Sequence, residues 1–248
     1  MLNEQQNRKL LAKLKRTLSV FEQYVFRPIG QLNYKVFETK EDFREVPDDS
    51  YYTDKSGTWG GEGVYCWFKG SFTPANELEN QPLYIIPDVG GYEAMLWIDG
   101  KPYGTFANKI TVTRHGNHYS RRICENADPK KPIDIAVEYY AGHYVKGCQP
   151  FEDIVNTGFK YKLGEINICV KNQIVSDFIY DMRILTQLVE MSDLNSFRRA
   201  EIMNTLTEVH KVLYYSPENI DKNTWTQSLK TAIDIMKLER HGFFLQFH

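Results

Sequence analysis

The sequence has no uninterrupted apolar run long enough to cross a bilayer. Its polar N-terminus, "MLNEQQNRKLLAKLKRTL", has no apolar segment of the kind that directs secretion, and no Asn-x-Ser/Thr acceptor occurs anywhere. Charge of one sign is also lacking. Thirty basic residues against 32 acidic ones leave a net charge of −2, so nothing favours nucleic acid or an anionic membrane as partner. Cysteine is sparse: Cys66, Cys124, Cys148 and Cys169 contain no CxxC pair, which argues against a structural zinc site and for free thiols. Together these absences give the expectation of a cytoplasmic protein with no membrane and no nucleic-acid partner.

Several catalytic signatures are missing as well. There is no Gly-x-Ser-x-Gly elbow and no phosphate-cradling loop. The paired glycines of "DVGGYEA" lie between strands rather than opening a helix, which excludes a dinucleotide fingerprint. A retaining glycosidase needs two carboxylates about 5–5.5 Å apart, and no acidic pair stands out. Glu152 and Asp153 are adjacent and diverge on an extended chain.

What is abundant is aromatic: 14% of the 248 residues, with 16 Tyr and 14 Phe, which suits a β-rich core. Residues 5–26 carry Leu10, Leu11, Leu14, Leu18 and Phe21 at helical spacing, and Pro28 and Gly30 are expected to end that helix. Residues 31–57 read as mixed and polar, with turn signals at "PDDS" and "DKSG". Strands follow. In "TWGGEGVYCWFKGSFTP", 58–74, Val64, Cys66 and Phe68 point one way while Tyr65 and Trp67 point the other. Further strands are expected at 82–87, 93–100, 109–113, 132–142 and 164–172, with Asp99-Gly100 as a hairpin turn. Along 132–142, Ile133, Ile135, Val137 and Tyr139 alternate against Asp134, Ala136 and Glu138. After 172 the period becomes helical, and three helices are expected, the last over "NTWTQSLKTAIDIMKLE". The closing "RHGFFLQFH" is apolar and is read as an end in mid-fold or at an irregular edge.

Short strands without intervening helices predict a mainly β protein, an antiparallel β-sandwich flanked by helices. The expected organisation is an N-terminal helical segment over 1–30, the sandwich over 31–172, and a helical segment over 173–248. Alternating rings on sandwich strands are normally core, so Trp67 and Trp97 are expected inside.

The stretches "WGGEGVYCWFKGSFTP", "GGYEAMLWIDGKPYG" and "IAVEYYAGHY" resemble the N-terminal region of glycoside hydrolase family 38 α-mannosidases, the bacterial and cytosolic branch, over about residues 1–238. The first of them is also similar to the sugar-binding sandwich of family 2 glycosidases. "YAGH" followed by "CQPFED" and three helices favours family 38. The resemblance implies a jelly-roll, galactose-binding-like sandwich. It implies that the helices lead toward a catalytic domain outside this chain, where zinc is held and α-mannosides are hydrolysed. That family's Gly-His-x-His-x-Asp stretch is not in this sequence, and His241 and His248 do not reproduce it. No catalytic or metal residue carries over, and the chain by itself is expected to be neither an enzyme nor a cofactor binder.

The resemblance implies the chain's own catalytic domain as partner, with a second copy of the chain and carbohydrate as others. Were the sandwich to bind sugar, Trp59, Tyr92 and Tyr103 are the candidate exposed rings, with His143 beside Tyr140 in "YAGHY" a candidate hydroxyl partner. A histidine holding its own loop is the competing reading for His143. A docking module, by contrast, predicts apolar side chains left exposed around the C-terminal helices and "FFLQF".

Overall fold

A computed structural model of the chain describes residues 3–91, 93–107, 118–143 and 158–245, apart from the side chains of 217 and 238–245. Two compact units emerge. One joins Met1–Arg27 to Lys171–His248, and the other is Pro28–Val170. The flanking helical segments, expected as two pieces, thus form one unit.

In the helical unit, α1 (Glu4–Glu22) starts at a capping box, with Asn3 and Gln6 each accepting from the other's backbone N–H. Its buried stripe of Leu10, Leu14, Leu18 and Phe21 shares a core with α2 (Gln173–Met191), α3 (Phe197–Val212) and α4 (Lys222–Leu245). Phe21 meets Phe178 edge-on at 5.5 Å and Trp225 at 5.9 Å. α3 begins at Ser196, whose hydroxyl accepts from the Arg199 N–H. α4 runs on to Leu245, so most of the closing "RHGFFLQFH" continues the helix instead of forming an irregular edge. No helix among the described residues is long and apolar enough to cross a membrane.

The second unit is an antiparallel β-sandwich. Its strands are β1 (Phe26–Gln31), β2 (Tyr34–Thr39), β3 (Thr58–Trp59), β4 (Tyr65–Phe72), β5 (Leu83–Pro87), β6 (Glu93–Ile98), β7 (Lys101–Ala107), β8 (Arg121–Cys124), β9 (Ile133–Tyr140), β10 (Tyr161–Lys162) and β11 (Ile166–Lys171). One sheet runs β2-β4-β9-β6-β7, the other β1-β11-β5-β8, and β3 pairs with β10. From β4 to β11 the chain repeatedly crosses between the two large sheets, the jelly-roll habit. The β6–β7 hairpin turns on Asp99 (φ 49°) and Gly100 (φ 74°), the left-handed pair its sequence calls for.

Two strands overturn the reading of 28–57. Pro28 and Gly30 do not merely end a helix; they lie inside β1. That is possible because β1 is an edge strand, where a missing N–H goes unnoticed. β2 is likewise an edge strand. It gives Tyr34 and Val36 to the inner core and Phe37 to the other face, too few apolar residues to announce itself. The expected strand over 109–113 lies outside the described residues.

The inner core unites both large sheets, with Phe68, Leu96 and Val137 facing Leu83, Ile85 and Ile168. Cys66 and Cys169 are buried free thiols, and burial raises both above the ordinary thiol range, Cys169 to about 11. Cys124 is also free, and Cys148 lies outside the described residues.

Gly91 decides how closely the β5–β6 connection can approach this core. Its φ is +87°, and an added Cβ would stand 2.8 Å from Tyr139 Cδ1 and 3.0 Å from Trp59 Cη2. Gly91→Ala should therefore lower stability by about 2 kcal/mol or more, from strain and overpacking together. Urea unfolding followed by tryptophan fluorescence measures it, and an unchanged midpoint would contradict this account.

Candidate functional site

The five-stranded sheet is covered on both faces. On its outer face, Trp67 of β4, Ala136 of β9 and Trp97 of β6 form one buried cluster, and Phe37, Phe43, Val46 and Tyr52 pack with them. The 40–53 segment supplying the last three is tied down at Val36, which exchanges two 2.9 Å backbone hydrogen bonds with Thr53. Lys69 Nζ adds a 2.6 Å hydrogen bond to Asp49.

Beyond this cover the face opens into a cleft of about 380 Å³. Strand register builds it. Tyr65 stands opposite Tyr140, and Tyr140 opposite Glu93; Trp67 stands opposite Glu138, Glu138 opposite Met95, and Met95 opposite Thr105. The Tyr65 and Tyr140 rings meet at 5.0 Å with a tilt of 38°. Tyr65, Glu93, Met95, Thr105, Glu138 and Tyr140 all line the space.

Glu138 is the unusual member. It sits on the central strand, half-buried between an indole and a thioether, with no hydrogen bond or ion pair among the described residues. Burial, reinforced by the charge of Asp42, pushes its carboxyl up to about 7. Tyr140 is raised by burial and by the neighbouring Tyr65 and Glu62. A displaced carboxyl, two rings and a hydroxyl around an open cleft are the chemistry of a small-ligand site.

None of the sequence candidates among the described residues lines this cleft. Trp59 is a correction: it is fully buried, and its Nε1 donates to Val89 O at 2.6 Å. The glycines around it bring the β5–β6 connection against its ring, so what reads as an exposed ring in a glycine-rich turn is core. Tyr103 is 49% exposed on edge strand β7, where the pairing with β6 shifts register. His143 is exposed beyond β9 and pairs with Glu62, the arrangement of a histidine holding its loop. Tyr92, Glu152 and Asp153 lie outside the described residues. Trp67 and Trp97 are buried as expected, but in the outer cluster.

Sequence reasoning missed Glu138, Tyr140, Tyr65, Glu93 and Thr105. The available signal was parity: Glu138 shares a face with Ala136 and Tyr140, a mixture unlike a purely solvated face. Only the pairing of β9 with both β4 and β6, and of β6 with β7, brings the five together. Among the described residues no group of three or more His, Cys, Asp or Glu is placed to hold a metal.

No protein-family model matches the chain, and no curated protein does. Among solved structures, a β-glucuronidase of Bacteroides uniformis is 17% identical with a TM-score of 0.38, covering 58% of this chain and 17% of that one. A β-glucuronidase of an uncultured Clostridium sp. is 11% identical with a TM-score of 0.38, covering 59% of this chain and 29% of that one. The β-D-glucuronidase of Dictyoglomus thermophilum is 8% identical with a TM-score of 0.34, covering 59% and 28%. This chain spans less than a third of the length of each. Likenesses at these identities and TM-scores say nothing about what this chain binds or turns over.

Two outcomes follow from the geometry. In the folded state Glu138 holds its proton more tightly than its ordinary value of 4.5 allows, up to about 7. Its contribution to stability therefore falls as pH rises through that window. Glu138→Gln should stabilise the chain at about pH 8 by about 1–2 kcal/mol, allowing for water reaching this half-buried group. The gain should vanish near pH 4.5, and thermal melts of both proteins across pH test the trend. Trp59→Ala should destabilise by about 3–5 kcal/mol, as for a core indole. A urea midpoint within error of wild type would restore it to the surface.

Proposed function

We propose that the chain is a non-catalytic ancillary module of a glycoside hydrolase of the α-mannosidase type, bracing a catalytic domain outside this sequence. The stretches that carry the family resemblance supply framework: "VYCWFKGSF" contains β4, "EAMLWIDGKPYG" the β6–β7 hairpin, and "IAVEYY" most of β9. A bracing module needs an apolar contact surface, and the observation that carries the reading is one. Met191, Leu194 and Phe197, in and beside the α2–α3 turn, are 86%, 62% and 75% exposed. The apolar stretch first expected to serve, "FFLQF", has side chains outside the described residues.

A second reading, a carbohydrate-binding module, is favoured by the outer-face cleft, where tyrosine rings stand beside carboxylates and a hydroxyl.

Purified alone, the folded chain should hydrolyse no aryl α-mannoside, with or without added zinc. Metal-dependent turnover that follows the protein through purification would overturn the non-catalytic reading. Leu194→Ser with Phe197→Ser should leave the melting temperature unchanged, as for a surface reserved for a partner. A marked loss of stability would assign those side chains to the fold instead. Saturable heat on titrating mannose would favour the second reading.

A further inference from the structure

The cleft's electrostatics point past a general sugar site. The cleft lies on a face whose cover stops short, and its described lining contains two carboxylates and no lysine or arginine. Asp42 brings a third acidic group close enough to act on Glu138. Lys69, on the same strand as Tyr65, is already engaged with Asp49. Glu138 itself is flanked across the sheet by Trp67, whose indole N–H makes no hydrogen bond to it, and by Met95, and neither supplies a counter-charge. A half-buried carboxylate without a partner weakens the fold, and a neutral ligand would leave it uncompensated. A cation offsets it. The paired rings of Tyr65 and Tyr140, centroids 5.0 Å apart, both line the cleft, and aromatic rings draw an organic cation out of water.

We propose that the cleft formed by β4, β9, β6 and β7 binds a small organic ammonium ion, with Glu138 as its counter-ion, the Tyr65 and Tyr140 rings against its apolar body, and Glu93 as a second, exposed acceptor. The volume, about 380 Å³, fits a molecule of a few to a dozen heavy atoms. This inference does not depend on the ancillary role proposed above. It narrows the second reading, because a cleft that selects charge is not a general mannose site.

The test uses the whole 248-residue chain. At about pH 8 the Glu138 carboxyl, raised to about 7, is mostly ionised. Calorimetry and amide chemical-shift mapping are run with four probes and one sugar. Choline is compared with its neutral isostere 3,3-dimethylbutan-1-ol, n-butylammonium with n-butanol, and mannose is run alongside.

At least one ammonium should saturate the chain at least tenfold more tightly than its neutral counterpart, moving the amides of Tyr65, Glu138 and Tyr140. Binding should weaken with added salt. Response to n-butylammonium alone marks a primary amine hydrogen-bonded to the carboxylate, and response to choline alone marks recognition through the rings. Both support the proposal. Glu138→Gln should lose tenfold or more in affinity with its near-ultraviolet circular dichroism retained.

Equal binding of charged and neutral members would overturn the proposal. So would shifts confined to other residues, mannose alone moving these amides, or undiminished affinity in Glu138→Gln. The isostere comparison and the shift map need only the wild-type chain, so they decide the matter even should the variant fail to fold.

Discussion

Trp67 and Phe68 are successive residues of one strand, and both are completely buried. A strand sends neighbours to opposite faces, so the five-stranded sheet must be covered twice. The inner cover is the four-stranded sheet, which meets Phe68 and its row-mates across the sandwich. The outer cover is the 40–53 segment, fastened at Val36–Thr53 and by Lys69 to Asp49. That segment shields the Trp67–Trp97 end of the face. Glu138 and Tyr140, further along β9, line the cleft that stays open. The cleft is therefore a consequence of how far the outer cover reaches.

This double cover explains which parts of the fold were legible in the sequence. β4, β5, β6, β9 and β11 announce themselves because buried strands repeat apolar residues at period two, and the Asp99-Gly100 turn fixes the β6–β7 hairpin. β1, β2 and β8 hide because edge strands need few apolar residues and tolerate Pro28. The outer cover was equally hard to see. Phe43, Val46 and Tyr52 are scattered among charges, and nothing local says they close over two tryptophans. Helical periodicity found α1 to α4, but not that the first helix packs with the last three.

The candidate site was less legible than the fold, and the reason is register. Trp59 looks like an exposed ring because it adjoins three glycines, yet positive φ at Gly60, Gly61 and Gly91 lets backbone close around it. Glu138 looks like a solvated charge because it alternates with Val137 and Tyr139. Its significance comes from cross-strand neighbours 71 and 43 positions away in sequence, Trp67 and Met95, the differences 138 − 67 and 138 − 95. Pairing of this range is set by the whole sheet, so no local pattern could have disclosed that its neighbours would be apolar.

Polar atoms buried against the sheet are satisfied unevenly. On the inner face Trp59 donates to Val89 O, and Tyr34, stacked edge-on against Phe68, donates to Gly164 O at 2.6 Å. On the outer face the Trp67 and Trp97 indole N–H groups and the Tyr52 hydroxyl are buried with no partner among the described residues. Burial raises the Tyr52 hydroxyl strongly, with the charges of Asp49 and Glu138 adding to it. Each unpaired polar group costs about 1–3 kcal/mol. Trp67, Trp97 and Tyr52 lie under the outer cover and not in the cleft, so their cost attaches to closing that cover, while the Glu138 carboxyl beyond it lines the space that stays open.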